Sequence, residues 1–180
     1  MTTRDGLDVL HEGKFLRLVQ QGRWEYVERR TPNGAAVIIA VTGARELVLV
    51  EQFRVPVGAA TIELPAGIIG DEVDFAGESI LASARRELLE ETGYACQAAK
   101  IVLSGPTAPG LTAEMTHLVL ATGLTRVHDG GGVGDENITV HVVLLDDLGA
   151  WLSAAQARGC LIEPKVYAAP FFIAAHGASS

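Results

Sequence analysis

The sequence E-L-P-A-G at residues 63–67 precedes a loop and then E-S-I-L-A-S-A-R-R-E-L-L-E-E-T-G-Y at 78–94, whose apolar spacing predicts a helix. Glu87, Glu90 and Glu91 lie three or four residues apart and therefore share one helical face. Like charges at these offsets weaken a helix, and the negative end of the macrodipole adds to the repulsion. A divalent cation would offset both costs, and ligation by oxygen alone suits Mg²⁺ or Mn²⁺. The pattern therefore predicts a metal site.

A solvent-facing amphipathic helix is the alternative interpretation of R-R-E-L-L-E-E, because most charged helix faces merely meet water. The surroundings favour the metal site instead. Gly93 directly after the helix is a natural C-cap, and Leu81, Ala84 and Leu88 form an apolar stripe.

This stretch closely resembles the Nudix hydrolase signature, which is a Gly, five residues, a Glu, seven residues, then Arg-Glu-apolar-x-Glu-Glu-x-Gly-apolar. The signature glycine is out of register, because Glu72 stands six residues before Glu78. Lengthening a surface loop costs little entropy, so we expect that Gly67 keeps the role of this glycine and that five residues are inserted within 68–77. The positions in register are Glu78, Arg86, Glu87, Leu88, Glu90, Glu91, Gly93 and Tyr94.

Composition narrows the class of protein. The chain has 180 residues, of which 48% are hydrophobic, enough for one compact domain with a full core. Its formal charge of −8 argues against nucleic acid or an anionic membrane as partner. Cys96 and Cys160 cannot build a disulfide framework and lack metal-ligand spacing. The N-terminus lacks an apolar signal core and the longest apolar run, 35–41, is too short to span a bilayer, so we expect a cytoplasmic protein.

The pattern of elements predicts an α/β fold. Alternating residues in K-F-L-R-L-V and W-E-Y-V-E-R indicate an antiparallel hairpin, so residues 1–31 are expected to form a small β unit before the main domain at 32–180. Strands and helices together indicate an α/β/α sandwich with a mixed sheet, the Nudix fold by resemblance. Strands are expected at 35–41, 47–54, 100–104, 115–121 and 137–144, and further helices at 146–159 and at 163–176, the latter kinked or broken at Pro170.

Other segments resemble the ADP-sugar pyrophosphatase branch of the family: W-E-x-V-x-R at 24–29, Q-F-R at 52–54, E-L-P-A-G, and P-G-L-T-x-E at 109–114. The resemblance implies a homodimer that exchanges its N-terminal hairpin, so that Trp24 stacks on the adenine of the partner's substrate. The substrate-binding positions that it implies are Trp24, Arg29, Arg54, Glu63, Gly110 and Glu114.

Residue types alone leave alternatives open at three of these positions. Trp24 could pack across its own sheet, Arg54 could be a surface strand residue and Glu114 an ordinary solvated carboxylate.

The segment G-G-G-V-G-D-E at 130–136 predicts a mobile loop. By resemblance, Glu136 contributes a carboxylate to the metal or to the attacking water, and Asp135 is its nearest substitute. Three residues, Glu90, Asp135 and Glu136, qualify by type as the general base. The implied metal ligands are Glu87, Glu91, Glu136 and the Ala66 carbonyl, and the implied catalytic residues are Arg86, Glu87, Glu90, Glu91 and Glu136, with Arg86 orienting the carboxylates.

The resemblance implies Mg²⁺-dependent hydrolysis of the pyrophosphate bond of a nucleoside diphosphate sugar, with Mn²⁺ as a substitute metal. ADP-ribose is the first candidate, yielding AMP and ribose 5-phosphate. GDP-mannose or a related compound is the alternative, because an indole discriminates poorly between purines. A nucleotide sensor without catalysis and a purely structural domain are the alternatives from other classes, and the complete set of acidic helix positions argues against both.

Overall fold

The computed structural model describes residues 6–30, 34–70, 75, 77–134 and 137–176. Its α-helices are α1 (Ile80–Thr92), α2 (Leu148–Ala157) and α3 (Lys165–Ala175), and a 3-10 turn covers Val55–Val57. Its strands are β1 (Leu7–Glu12), β2 (Leu16–Gln21), β3 (Trp24–Arg29), β4 (Ala35–Ala40), β5 (Glu46–Arg54), β6 (Ala59–Glu63), β7 (Ala66–Ile68), β8 (Tyr94–Pro106), β9 (Met115–Arg126), β10 (Thr139–Leu144) and β11 (Leu161–Ile162).

Two mixed sheets of four strands follow an antiparallel sheet in the order β1-β2-β3. The first mixed sheet has the order β7-β4-β9-β8, with β4 and β9 parallel and both outer pairs antiparallel. The second has the order β10-β5-β6-β11, and only β6 and β11 run parallel.

Strand β4 lies between two hydrophobic clusters and is buried on both faces. Val37 and Ile39 belong to the cluster that includes residues of α2 and α3, whereas Ala36 and Ile38 belong to the cluster under α1. This alternation follows from the two-residue period of a strand. The helices therefore cover opposite sides of the strands, which confirms the expected α/β/α arrangement.

Helix α1 has well-defined ends. The hydroxyl of Ser79 accepts a hydrogen bond from the Ala82 amide at 3.2 Å, which caps the first turn. Gly93 ends the helix at φ 74°, and its amide donates to the Leu89 carbonyl at 2.8 Å. Leu88 is fully buried on the inner face, so the opposite face can carry the charged residues.

The sheets differ in detail from the expectation. Two mixed sheets replace a single one, because β4 and β5 share only the bridge between Val41 and Leu47 beside their connecting turn. Strands β8 and β9 extend well beyond 100–104 and 115–121, since they pair along most of their length. The short strands β6, β7 and β11 were not predicted.

The last helix is not broken at Pro170, and a kink at this residue stays a prediction. Helix α3 continues from Lys165 to Ala175 through this proline. Its buried residues Val166, Ala169 and Ile173 pack in the core and hold the helix together despite the missing amide donor. Within the described ranges, no helix has the length and apolar character needed to cross a membrane.

Gly93 allows a direct test of the α1 terminus. A Cβ at this position would overlap with the carbonyl oxygen of His128, whereas a Cβ at Gly58, also left-handed at φ 63°, meets open space. We expect Gly58→Ala to lower the free energy of unfolding by about 1–2 kcal/mol through backbone strain. Gly93→Ala should lower it by at least about 1 kcal/mol more, because the His128 backbone must also move.

Urea unfolding of both variants measures the difference. Equal losses would show that the contact between Gly93 and His128 adds nothing to the strain of the left-handed conformation.

Candidate active site

Arg86 in the middle of α1 joins three glutamates. Its Nη1 donates to Glu90 Oε2 at 2.9 Å and lies 2.9 Å from Glu87 Oε1, and its Nη2 donates to Glu78 Oε2 at 3.2 Å. The Arg86 side chain is only 14% exposed, so solvent screens these charges weakly. Arg86 thus offsets part of the repulsion between Glu87 and Glu90.

The same contacts keep Arg86 ionised. Burial lowers the pKa of its guanidinium, but the hydrogen bond and charge of Glu78, the charge of Glu87 and the hydrogen bond to Glu90 together raise it by more. The net pKa therefore lies above the ordinary arginine value, and the cluster keeps one fixed positive charge.

The segment 65–67 touches α1 through two of its glutamates. The Ala66 amide donates to Glu91 Oε2 at 3.0 Å, and Glu91 is only 5% exposed. A Cβ at Gly67 would overlap with the carboxyl carbon of Glu87, so only glycine leaves room for that carboxylate. This contact supports the expectation that Gly67 keeps the role of the signature glycine and that the additional residues follow it.

A divalent cation fits the chemistry of this face, although the described residues do not form a complete site. Carboxylate oxygens of Glu87 and Glu91 and the backbone of Ala66 are hard donors of the kind that Mg²⁺ and Mn²⁺ prefer. In the part of the chain that the structure describes, no three His, Cys, Asp or Glu side chains are grouped to hold a metal. The predicted ligand Glu136 and its substitute Asp135 lie outside the described residues.

The segment that leads to Glu136 is anchored on α1. The Gly131 amide donates to the Glu91 carbonyl at 2.8 Å, and the Gly132 amide donates to the Glu90 carbonyl at 3.1 Å. The Ile138 amide donates back to the Gly131 carbonyl at 3.4 Å. Both ends of the stretch 132–137 are therefore held beside the C-terminal end of α1. These backbone hydrogen bonds tie Gly131 and Gly132 to α1, and the mobility of the loop 130–136 stays a prediction.

A groove lies between β3 and the loop at 107–114. The Val27 amide donates to the Leu111 carbonyl at 2.9 Å and the Ala113 amide donates to the Val27 carbonyl at 3.3 Å, so the loop adds to the free edge of β3. Trp24 is 54% exposed, which argues against tight packing across its own sheet. The groove encloses about 270 Å³ and is lined by Gln21, Trp24, Tyr26, Pro109, Gly110, Thr112 and Ala113.

Sequence reasoning identified Trp24 and Gly110 but missed Tyr26. Trp24 and Tyr26 are two residues apart on β3 and so point to the same face of the strand. That spacing was the available signal, but the four-residue match to W-E-x-V-x-R does not specify position 26.

Arg29 and Glu114 form an ion pair with each other at the same junction. Arg54 likewise engages Glu63 with both arms of its fork, through Nε at 2.8 Å and Nη2 at 2.7 Å. The predicted substrate-binding arginines of β3 and β5 therefore already have carboxylate partners. A phosphate would have to share or replace those partners to bind either guanidinium.

Known protein families include one whose sequence model matches most of this chain: the model of the NUDIX domain matches residues 32–163. The chain belongs to the Nudix family. The predicted family and fold class are both confirmed.

Individual Nudix relatives carry several names. The chain is 36% identical to a methanol dehydrogenase activator of Bacillus methanolicus over 115 residues, which is 63% of this chain and 60% of that protein. It is 33% identical to an ADP-ribose pyrophosphatase of Bacillus subtilis over 117 residues, 63% of this chain and 60% of the relative. An ADP-sugar pyrophosphatase of Mus musculus is 37% identical over 161 residues, 81% of this chain and 71% of the relative.

The first two relatives are thus matched over only about 60% of their length. A crystal structure of an ADP compounds hydrolase superposes with a TM-score of 0.69 at 18% identity, and the match covers 93% of this chain and 89% of that one. At this identity the superposition shows the shared Nudix fold.

The pair between Arg54 and Glu63 predicts a pH dependence of stability. Burial raises the pKa of the Glu63 carboxyl, but the hydrogen bonds from Arg54 and Thr61 and the charges of Arg54 and Lys165 lower it by more, so the net pKa lies below its ordinary 4.5. A carboxylate with a depressed folded-state pKa stabilises the fold above the unfolded-state value, and this contribution is lost as the pH falls through the folded-state value.

The difference in unfolding free energy between wild type and Glu63→Gln should therefore stay constant from about pH 7 to pH 5 and shrink toward about pH 3. Urea titrations at a series of pH values measure it, and carboxylates common to both proteins cancel in the difference. A difference that stays constant down to the lowest pH would contradict the stabilising role of ionised Glu63.

Proposed function

We propose that this Nudix protein hydrolyses the pyrophosphate bond of a nucleoside diphosphate sugar, with ADP-ribose as the first substrate to test. Water and ADP-ribose would give AMP and ribose 5-phosphate. The observation that carries the proposal is the packing of Glu87 and Glu91 against the segment 65–67, which brings two carboxylates and the start of β7 to one place. The names of the pyrophosphatase relatives support the substrate class.

We assign the metal-holding role to the carboxylates of Glu87, Glu91 and Glu136 and to the Ala66 carbonyl. Nudix hydrolases generally depend on a divalent metal, and the oxygen-only donor set favours Mg²⁺, with Mn²⁺ as a substitute. When bound, such an ion neutralises charge on the pyrophosphate and lowers the pKa of a coordinated water.

Protein side chains then divide the remaining tasks. Arg86 holds Glu87 and Glu90 in fixed positions through its two Nη groups. Because Glu90 is already hydrogen-bonded to Arg86, we assign the general base to Glu136, with Asp135 as its substitute. The anchoring of 130–132 on α1 supports this choice, since it holds the start of that segment beside Glu90 and Glu91.

The groove beside β3 is the proposed site for the base of the nucleotide. The half-exposed indole of Trp24 offers a face for stacking, and Gly110 leaves room opposite the strand. Stacking alone separates adenine poorly from guanine, so GDP-mannose is the second candidate. Arg29, Arg54, Glu63 and Glu114 are proposed to lie around the substrate as two ion pairs rather than as isolated groups.

A homodimer that exchanges residues 1–31 is also part of the proposal. The β1–β2 region exposes Val9, Leu10, Phe15 and Leu16, an apolar surface that a second subunit would cover. Trp24 would then serve the active site of the partner. We propose no nucleic-acid or membrane partner, and a cytoplasmic location stays a prediction.

Phosphate-coupled turnover with Mg²⁺ tests the reaction across ADP-ribose, GDP-mannose, other sugar nucleotides, oxidised nucleotides and coenzyme A. Preference for ADP-ribose is expected.

Glu91→Gln should lower the rate about 100-fold or more, because it removes a charge that holds the metal, while its amide oxygen can still accept a hydrogen bond from the Ala66 amide. Glu46→Gln at the start of β5 is the matched control and should turn over normally. Near-normal turnover by Glu91→Gln would contradict the metal mechanism. If the wild type turned over no compound, the alternative hypothesis of a nucleotide sensor without catalysis would be favoured instead.

Trp24 and subunit exchange are tested together. Trp24→Ala should raise KM for the nucleotide about 5- to 150-fold, as loss of one base-stacking contact predicts, whereas Trp24→Phe should largely preserve it. Mixed dimers of Trp24→Ala and Glu91→Gln subunits would contain one intact site and regain about half of the wild-type rate. No recovery in co-expressed mixed dimers would show that Trp24 serves its own chain.

A further inference from the structure

Phe75 lies in the stretch 68–77, within which five inserted residues are expected, and it contacts the centre of the acidic cluster. Its ring centroid is 4.3 Å from Cζ of Arg86, within the range of a cation–π contact. Its carbonyl accepts a hydrogen bond from the Glu78 amide at 2.9 Å. Phe75 is therefore tied to Glu78, which lies just before α1 and whose carboxylate binds the same arginine.

A contact with an aromatic ring suits the guanidinium of Arg86, because its hydrogen bonds leave part of the group without a partner among the described residues. Its Nη groups are committed to glutamates, but in the part of the chain that the structure describes its buried Nε has no hydrogen-bond acceptor. A buried guanidinium loses its water, and its planar face remains to be covered. An aromatic face supplies attraction there without competing for the N–H donors, and the attraction grows when the cation is desolvated.

A guanidinium held on its face and at its ends has little freedom to rotate. Glu87 and Glu90 take their positions from Arg86 Nη1, so the ring acts on both carboxylates through the arginine. Glu87 in turn occupies the space that Gly67 leaves open.

We propose that Phe75 is a positioning residue of the active site, which fixes Arg86 and thereby the carboxylates of Glu87 and Glu90. The lengthened stretch between Gly67 and Glu78 thus supplies an aromatic contact for the signature arginine. The proposal rests on the proposed function for its catalytic consequence, but its effect on the carboxylates is measurable without turnover.

Three substitutions separate the aromatic contact from simple burial. Phe75→Leu keeps an apolar side chain and removes the π face, whereas Phe75→Tyr keeps the face and serves as the conservative rescue. Phe171→Leu on α3 is the matched control, because Phe171 is exposed and makes its ring contact with Phe172 rather than with a cation.

The readouts are kcat and KM for the best nucleotide, the dissociation constant of Mn²⁺ measured from the free-ion electron paramagnetic resonance signal, and the melting temperature. Phe75→Leu should lower kcat and weaken Mn²⁺ binding, each by about 2- to 30-fold, with a smaller change in KM. Phe75→Tyr should restore both quantities, and Phe171→Leu should match the wild type.

A loss of melting temperature with unchanged kcat and Mn²⁺ affinity would overturn the proposal and leave Phe75 a packing residue. Equal values for the Leu and Tyr variants at position 75 would also overturn it. If wild type turns over no nucleotide, the proposed function fails, and the Mn²⁺ comparison alone then decides the role of Phe75. Absence of Mn²⁺ binding to wild type would overturn the positioning role as well.

Discussion

One weakly exposed arginine organises the acidic face of α1. Arg86 bonds to Glu78 before the helix and to Glu87 and Glu90 within it, so a single guanidinium joins the loop and two helical turns. Removing a partner from such a cluster leaves a desolvated charge without compensation, which is costly. The cluster therefore constrains the sequence at several positions together, and the orientation of each carboxylate depends on the arginine.

The backbone around the cluster has little freedom because it is shared with the core. Strand β7 carries Gly67 and pairs with β4. Alternate residues of β4 pack in the hydrophobic cluster beneath α1. The contact between Gly67 and Glu87 thus connects the central sheet to the charged helix face. On the other side, Gly131 and Gly132 hydrogen-bond to the last turn of α1 and use carbonyl groups that a helix end leaves without intrahelical partners. Two separate chain segments consequently contact the C-terminal half of α1.

The sequence predicted the helix, its glutamates and the Gly93 cap, because these depend on local spacing and on a single backbone conformation. The spacing of four residues between Arg86 and Glu90 also predicts that their side chains lie side by side on the helix. The electrostatic argument for a metal left this pair out, although the family resemblance implied that Arg86 orients the carboxylates. Phe75 could not be found, because an inserted loop has no period that indicates which side chain turns inward. The partners of Arg29 and Arg54 depend on contacts between strands and loops that spacing along the chain does not reveal.

The carboxylates paired with the predicted site arginines change the physical reason for expecting a bound cation. Arg29, Arg54 and Arg86, the arginines predicted to belong to the site, are each paired with a carboxylate. A diphosphate would approach a chain of net charge −8 in which these guanidinium groups are already neutralised. It would either displace a glutamate from one of these guanidinium groups or arrive with positive charge of its own. In the proposed function, a divalent ion held by the α1 carboxylates would supply that charge without breaking an ion pair. The electrostatic reason for proposing a metal therefore includes the substrate as well as the acidic helix face.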